Sequence, residues 1–483
     1  MHEQGIKDFP YYVGINSLSD LATKDDKVVV LNILGKESSG VTPVSHDYSG
    51  GNIVFGTGPG KSGKFLATKT GKIPVYNSIK EGMEAGHKFN TVVVYLPPAG
   101  VKDGVAEAVR ANPGLRKAIV LTEKVSVKDS RIMRAICQTN GVDLFGGNCL
   151  GLADSWNHIR IGGALGGNSP EESLIKGSIA IFSNSGNFTT TIAVYLSTAG
   201  WGTTTSVSSG KDVYIQYGPK EFLYALDRDD RSQAAVMYSE PGGYYEKDIK
   251  TDKPIVACVV GRWKAKLTKA CGHAGSLAGS GDDAVAKENW FMEYFGVDRI
   301  YTPENPVVSK KGTLVTNIAH IPEALTAVMK LNGKEPDFAP KGSLSLKSWF
   351  GNNQGLKLPE ELDTPVVEAI SPYSEQIAAL DKQVGAQYRR ETLKDTSGAS
   401  MMDPKTQVSK IHQTSILDAS KKRFEANLVF ALCREYPNEY GEKIANIALN
   451  TYVNQRGQAT LAAAEASREN GNSPNTVVSG AVA

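Results

Sequence analysis

A histidine surrounded by residues with very small side chains is the strongest chemical signal in the sequence. His273 lies in the run CGHAGS at residues 271–276. Small neighbours expose an imidazole and let large groups reach it, whereas a histidine buried for packing normally has bulky neighbours. Imidazole is also a nucleophile near neutral pH. The run therefore predicts a reactive histidine, and the alternative is a histidine that only shapes the loop.

Two other segments suit a phosphoryl group on that imidazole. The run Ser183-Asn184-Ser185-Gly186-Asn187 follows a predicted strand and opens a predicted helix, so its N–H groups and hydroxyls can hold a phosphate. Glu240, in the run SEPGG, follows another predicted strand, at the edge where ligand-facing residues of open α/β sheets lie. A carboxylate bonded to the far ring nitrogen of His273 would make the near nitrogen a better nucleophile. A solvated loop acid is the alternative for Glu240.

Two glycine-bracketed segments near the start of the chain also suit phosphate. The turn Gly35-Lys36-Glu37-Ser38-Ser39-Gly40 opens a predicted helix, but it lacks the middle glycine of a full GxGxxG motif. The loop GTGPGKSGK at 56–64 adds small residues and two lysines. It is not a Walker A loop, because Pro59 interrupts it and no Ser or Thr follows Lys64. A tight strand-to-helix turn and a flexible surface loop are the alternatives.

The elements that must position these residues alternate along the chain. Short β-branched runs predict strands and the longer amphipathic stretches between them predict helices, which favours doubly wound parallel sheets. We predict an N-terminal extension at 1–26, a Rossmann-like domain at 27–151 and a second α/β domain at 152–332. The second set of strands includes VDRIYTPEN at 297–305, and 151–170 is expected to connect the domains. A linker at 333–366 and an all-helical region at 367–483 complete the prediction.

The composition excludes several classes of protein. Among 483 residues, 41% are hydrophobic and 22% charged, which is ordinary for a globular protein. A net charge of +2 gives no argument for nucleic acid or an anionic membrane surface. The five cysteines are scattered without a CxxC pair, so no metal site is predicted. Because the start lacks the build of a signal peptide and no apolar run could span a bilayer, we expect a cytoplasmic protein.

Taken in order, the motifs resemble the α subunit of succinyl-CoA synthetase. They resemble still more the corresponding segment of ATP-citrate lyase and citryl-CoA synthetase. The resemblance covers about 27–331 and rests on a series of short runs: the 35–40 turn, GPGKSGK, GGNCLG, SNSGN, SEPGG, and GHAG followed by an AVAK helix. It implies a CoA-binding Rossmann domain followed by a flavodoxin-like ligase domain. It also implies that a histidine is phosphorylated by a nucleoside triphosphate and passes the phosphoryl group to a carboxylate, after which CoA attacks the acyl phosphate.

The resemblance also assigns roles to residues. It implies that His273 is the phosphohistidine, that Glu240 orients it, and that the helix start at 183–187 holds the phosphate. It places the CoA contacts at the 35–40 turn and at Pro59, Lys61, Tyr95, Pro97, Asn148 and Cys149.

Three departures from the family pattern stand out. Asn184 replaces a frequent arginine, Pro241 replaces an isoleucine, and SGKD at 209–212 loosens a Gly-Gly-Asp run. The first weakens one phosphate contact, and the other two alter local geometry. None of the three removes the histidine or the acid.

The family also binds ATP or GTP, Mg²⁺ and most of the acid on an ATP-grasp β-type half, which this sequence lacks. The resemblance therefore implies a separate β-type partner and a hetero-oligomer that acts on a small carboxylate. We expect neither nucleic acid nor a membrane as a partner.

The C-terminal region resembles the first part of a citrate-synthase-like lyase domain. Where that domain has a histidine turn, this chain reads Asn454-Gln455-Arg456-Gly457. The region is therefore expected to lie at a subunit interface rather than to cleave citryl-CoA. Three functions stay open: a CoA-ligase subunit for a di- or tricarboxylate, a component of a multi-chain citrate-cleaving enzyme, and a non-catalytic CoA-binding scaffold.

Overall fold

A computed structural model describes residues 5–211, 214–262, 281–342, 400–402, 409–412, 414–433 and 435–453. The chain forms two compact units, Met1–Leu344 and Ser345–Ala483. His273 lies outside the described residues, as do the rest of 263–280 and all of 343–399.

The first sheet of the larger unit is the predicted Rossmann-like sheet. Its strand order is β3-β4-β2-β1-β5-β6-β7, and all pairs are parallel except β3 with β4. Runs such as VVVL in β1 are buried on both faces, as expected for a parallel sheet covered by helices. The strands are β1 Val28–Leu31, β2 Ile53–Thr57, β3 Phe65–Ala67, β4 Lys72–Tyr76, β5 Thr91–Val94, β6 Lys117–Val120 and β7 Asp143–Gly146. The helices are α1 Ser38–Tyr48, α2 Ile79–Glu84, α3 Pro98–Ala111 and α4 Val127–Thr139.

The second sheet has the order β14-β13-β12-β10-β11-β8-β9. Strands β10 to β14 run parallel, whereas β8 and β9 form an antiparallel hairpin at one edge. The strands are β8 Gly151–Asp154, β9 Ile159–Gly162, β10 Lys176–Ser183, β11 Thr203–Ser208, β12 Ala234–Ser239, β13 Ile255–Val259 and β14 Gly312–Val315. The helices are α5 Pro170–Ser173, α6 Gly186–Thr198, α7 Pro219–Asp227, α8 Ala284–Phe295 and α9 Ile321–Leu331.

Two expectations about this second sheet were wrong. The segment 151–170 is not a plain connection, because β8 and β9 pair with the sheet through β11. The run 297–305 is not a strand, since it carries only an isolated bridge between Thr302 and Asn305, and β14 follows it. The run has few apolar residues. Its Tyr301 is buried in the apolar cluster beside the second sheet and does not belong to a strand of that sheet.

One apolar core joins both sheets of the larger unit. It contains Val30 of β1, Phe145 of β7 and Phe182 of β10, together with Leu18 and Leu21 from the chain start. The segment before β1 is therefore packed into the fold, and Lys117 of β6 donates to the carbonyls of Asp20 and Leu21 at 3.1 and 2.9 Å. The exact domain boundaries remain a prediction.

The smaller unit contains the predicted helices and also a small sheet. Its helices are α10 Ile416–Ala419, α11 Phe424–Cys433 and α12 Glu439–Val453. The three short antiparallel strands β15 Ser400–Met402, β16 Ser409–Ile411 and β17 Thr414–Ser415 were not predicted. A helical C-terminal region is thus confirmed, but its described part is not all-helical. The helices predicted at 374–391 and 459–470 lie outside the described residues.

Candidate functional site

A cleft of about 510 Å³ lies where the carboxyl ends of strands from both sheets meet. Four of the predicted CoA-side residues line one wall: Tyr95, Pro97, Asn148 and Cys149. Gly186 and Asn187, at the start of α6, also line it. The structure therefore brings part of the predicted CoA side and part of the predicted phosphate-holding helix start to one cleft.

The start of α6 is shaped for an anion. Ser185 is the N-cap residue with an extended backbone, and its own N–H donates to Ser183 Oγ at 3.1 Å. The N–H groups of the first turn of a helix have no acceptor within the helix, and the helix dipole favours negative charge there. Ser185 Oγ is buried and has no hydrogen-bond partner among the described residues. At Gly186 a side chain would collide with Leu150, so only glycine fits beneath the cleft wall.

Asn184 ties three strand ends together beside this helix. Its Oδ1 accepts from the N–H of Glu240 at 3.0 Å, and its Nδ2 donates to Ser209 Oγ at 3.1 Å and to the Gly210 carbonyl at 3.3 Å. Asn184 and Glu240 are each 4% exposed. From the sequence, Asn184 was expected only to weaken a phosphate contact by replacing an arginine. In the structure it joins the ends of β10, β11 and β12. Sequence reasoning missed this role, because nothing local marks the three partners of a buried amide.

The described residues on either side of 263–280, the segment that carries His273, bond to the loop around Glu240. At its start, the N–H of Val260 donates to the carbonyl of Ser239 at 3.2 Å. At its end, Asp282 accepts from the N–H of Gly242 through its carbonyl and from that of Gly243 through Oδ2, at 2.9 and 2.8 Å. The residues that flank 263–280 in the described chain thus lie next to the loop of Glu240, while His273 itself lies outside the described residues.

The turn at 35–40 is built by internal contacts. Ser38 Oγ donates to the carbonyl of Asn32 at 2.5 Å and is buried, so it shapes the turn rather than facing a ligand. A Cβ on Gly35 would crowd Asn32 and Ser38. Lys36 and Gly40 are exposed, and Ser39 is half-buried. Among residues 35–40, only Glu37 lines the cleft.

The glycine-rich loop at 56–64 is anchored rather than an untied surface loop. Asn77 Oδ1 accepts from the N–H groups of Lys61 and Ser62 at 3.1 and 3.2 Å, and the hydroxyl of Ser62 bonds the carboxylate of Glu81. The side chain of Lys61 stays exposed, and neither Lys61 nor Pro59 lines the cleft at the strand ends. The backbone is therefore preorganised and presents its cation to solvent.

A buried arginine that sequence reasoning missed fixes α1 against the hairpin. Arg160 of β9 is 1% exposed, and it donates to Ser45 Oγ at 2.9 Å and to the carbonyls of Leu165 and Gly167 at 2.8 and 2.6 Å. Burial of this guanidinium lowers its pKa to about 10. The sequence IRIG at 159–162 gives no local indication of these hydrogen bonds. Tyr95 Oη also donates to the carbonyl of Gly162, in the same hairpin, at 3.3 Å.

The described residues contain no group of three or more His, Cys, Asp or Glu side chains placed to hold a metal ion. Over the same part of the chain, no helix is long and apolar enough to cross a membrane.

Comparison with known proteins agrees with the two-domain fold. A CoA binding domain matches residues 23–123, and a succinyl-CoA ligase like flavodoxin domain matches 176–289. The chain is 31% identical over 314 residues to a succinate–CoA ligase [ADP-forming] α subunit of Aquifex aeolicus, covering 63% of this chain and 95% of that one. It is 28% identical over 289 residues to an ADP-forming sulfoacetate-CoA ligase subunit of an Acholeplasma species, covering 58% and 93%.

Among solved structures, ATP citrate lyase from Methanothrix soehngenii, in complex with citrate and coenzyme A, has a similar fold. The TM-score is 0.56 at 16% identity, and the match covers 96% of this chain and 71% of that one. The resemblance predicted from the motifs and the two-domain α/β fold class are thereby confirmed. The chain belongs to the family of succinate–CoA ligase α subunits.

Proposed function

We propose that this α-type CoA-ligase subunit carries a phosphoryl group on His273 from a nucleoside triphosphate to a small carboxylate, and that CoA then takes up the acyl group. The observation that carries the proposal is the cleft, which places four predicted CoA-side residues and the start of α6 around one space. Its wall also holds a buried Asn148 Nδ2 without a partner among the described residues. Such an orphaned donor fits a ligand with acceptor oxygens, as CoA has.

The reaction has three balanced steps. In the first, the unprotonated ring nitrogen of His273 attacks the terminal phosphorus of ATP or GTP, the P–O bond to the leaving nucleoside diphosphate breaks, and the other ring nitrogen keeps its proton. In the second, a carboxylate oxygen attacks that phosphorus and the P–N bond breaks, which gives an acyl phosphate and free imidazole. In the third, the CoA thiolate attacks the acyl carbon and inorganic phosphate leaves.

In this scheme the chain contributes positioning and charge stabilisation rather than a metal. Ser185, Gly186 and Asn187 hold the phosphoryl oxygens at the positive end of α6. Ser183, which was predicted to join them, shapes this turn instead, because its Oγ donates to the carbonyl of Ser185 at 2.7 Å. Glu240 accepts a hydrogen bond from the N–H of the His273 ring nitrogen that does not carry the phosphoryl group. Asn184 holds the backbone of Glu240 in place, so we expect the orientation of the acid to be sensitive to that amide.

An ATP-grasp β-type partner is proposed to bind the nucleotide with Mg²⁺ and most of the acid. Relatives of this chain are named as subunits of ADP-forming ligases, which supports a two-subunit arrangement. We propose a di- or tricarboxylate as the acid. We further propose that the C-terminal region lies at an interface of the hetero-oligomer.

Reconstitution with the β-type partner tests the proposal. With γ-labelled ATP and Mg²⁺, the wild-type chain should take up a label that is lost in acid and stable in base. His273→Ala should abolish both the label and acyl-CoA formation. His158→Asn is a matched control, because His158 is exposed and has a left-handed backbone that asparagine tolerates. Equal labelling of the His273→Ala chain would overturn the proposal.

The same reconstitution separates the two other functions. Release of oxaloacetate from citrate, CoA and ATP would identify a citrate-cleaving assembly, whereas acyl-CoA formation without that release identifies a simple ligase. CoA binding without phosphorylation in the presence of the partner would identify a scaffold.

A further inference from the structure

A second cavity, distinct from the cleft, opens on the larger unit beside α4. Its volume is about 630 Å³, within the range of small-molecule sites. It shares none of its lining residues with the cleft at the strand ends. Its walls come from α4, the segment 214–221, the loop after Glu240 and the chain start. The proposed reaction uses none of its lining side chains.

Positive charge prevails at this cavity. Arg131 and Arg134 of α4 and Lys220 of α7 line it, and the acid among the lining residues is Glu221. Glu221 is already engaged, since Oε2 accepts from the Gly218 N–H at 3.0 Å and Oε1 accepts from a tyrosine hydroxyl at 2.7 Å. Its Oε1 also lies 3.8 Å from Nη2 of Arg134, so this arginine is paired, whereas neither Arg131 nor Lys220 forms an ion pair with an acid among the described residues. Three cations against one carboxylate give the lining a net charge of +2, from 3 − 1. Arginine pairs readily with phosphate oxygens, and a cationic cavity of this kind favours an anion.

The remaining walls are aromatic. Four tyrosines line the cavity: Tyr11, Tyr214, Tyr244 and Tyr245. The guanidinium of Arg134 lies 4.8 Å from the ring centre of Tyr11 and 5.9 Å from that of Tyr214, so the cation and the rings form one continuous surface. Tyr244 is 54% exposed, and its ring centre lies 5.7 Å from that of Trp290, so the aromatic surface reaches the mouth of the cavity.

The floor of the cavity is rigid. Tyr245 Oη accepts from the N–H of Ile215 at 3.0 Å, and Gln216 Nε2 donates to the Ser130 carbonyl at 3.0 Å. The N–H of Gln216 also donates to the carbonyl of Gly146 at the end of β7. These bonds fix the aromatic and cationic walls relative to each other before any ligand arrives, which lowers the entropic cost of binding.

We infer that this cavity binds a nucleoside phosphate, with the base stacked on the tyrosines and the phosphates held by Arg131, Arg134 and Lys220. The size, the net positive charge and the four lining tyrosine rings together favour a ligand that is both planar and anionic. The site is separate from the CoA cleft, and it does not depend on phosphorylation of His273.

Binding of ADP to the full-length chain, without partner or CoA, tests the inference by calorimetry. The double variant Arg131→Gln with Lys220→Gln should weaken ADP binding by about 10-fold or more, because two phosphate contacts are lost. Lys128→Gln is the matched control, since Lys128 is exposed on the same helix and does not line the cavity. Tyr214→Leu should weaken binding of ADP but leave binding of inorganic pyrophosphate nearly unchanged.

Two outcomes would overturn the inference. One is the absence of ADP binding to the wild-type chain. The other is ADP binding that Lys61→Gln removes and the double variant leaves intact, which would place the nucleotide on the CoA side. Failure of His273 labelling would bear on the proposed reaction alone, because ADP binding is measured without the partner or phosphoryl transfer.

Discussion

Replacing Asn184 with alanine should cost both stability and phosphoryl transfer. The carboxamide accepts from the N–H of Glu240 and donates to Ser209 and Gly210, all within a buried strand-end region. Ser209 Oγ keeps contacts with the carbonyls of Ser183 and Gly210, so the main loss falls on the N–H of Glu240. An unsatisfied buried donor costs about 1–3 kcal/mol, and the lost bonds add roughly 1 kcal/mol. We expect a loss of about 2–4 kcal/mol in the free energy of unfolding.

Urea unfolding of the full chain measures this loss, followed through the transition of the larger unit. Asn16→Ala is the control, because Asn16 is exposed and its truncation should change stability by less than about 0.5 kcal/mol. In the reconstituted enzyme, the rate of labelling of the folded Asn184→Ala chain should fall by at least about 10-fold, since Glu240 loses its backbone anchor. Wild-type stability together with a wild-type labelling rate would refute the reasoning that Asn184 joins the three strand ends.

Three further predictions follow from buried or anchoring groups. Burial raises the pKa of Asp143 to about 7, so folding favours the neutral acid, and the stability it contributes is lost as pH rises from about 4 to 7. Asp143→Asn should therefore raise the free energy of unfolding, measured in urea, by about 2 kcal/mol at pH 8 and change it little at pH 4. An equal gain at both pH values would contradict this. Arg160→Met should destabilise the larger unit by about 2–4 kcal/mol in urea unfolding, because four side-chain donor bonds inside the fold are lost; a change below about 1 kcal/mol would count against it. Asn77→Ala should weaken CoA binding about 10-fold in calorimetry, with stability changed by less than about 1 kcal/mol, because the loop that presents Lys61 loses its anchor; unchanged affinity would argue against a CoA role for this loop.

The sequence predicted the parallel strands and the site segments because both leave local signals. A run such as VVVL at 28–31 is buried on both faces, and a helix start such as SNSGN follows its strand directly. The four cleft residues Tyr95, Pro97, Asn148 and Cys149 were placed by resemblance, and the structure brings them together.

The features that were missed depend on distant partners. The hairpin at 151–162 reads as a glycine-rich connection, and its strands become visible only through pairing with β11, about 50 residues later. Arg160 bonds Ser45 across 115 positions, and Asn184 meets Glu240 across 56. A side chain of this kind has no periodic signature, because its partners are set by how the sheets pack and not by its neighbours in sequence.

The fate of the label on His273 tests the central claim most directly. The chain, phosphorylated with γ-labelled ATP in the presence of its β-type partner, is freed of nucleotide and mapped by peptide analysis under basic conditions. The label should lie on the peptide that contains His273. It should stay there with CoA alone and appear as inorganic phosphate, with an equal amount of acyl-CoA, once the carboxylate and CoA are both added. A label on any other residue, or a label on His273 that the acid and CoA do not discharge, would contradict the account.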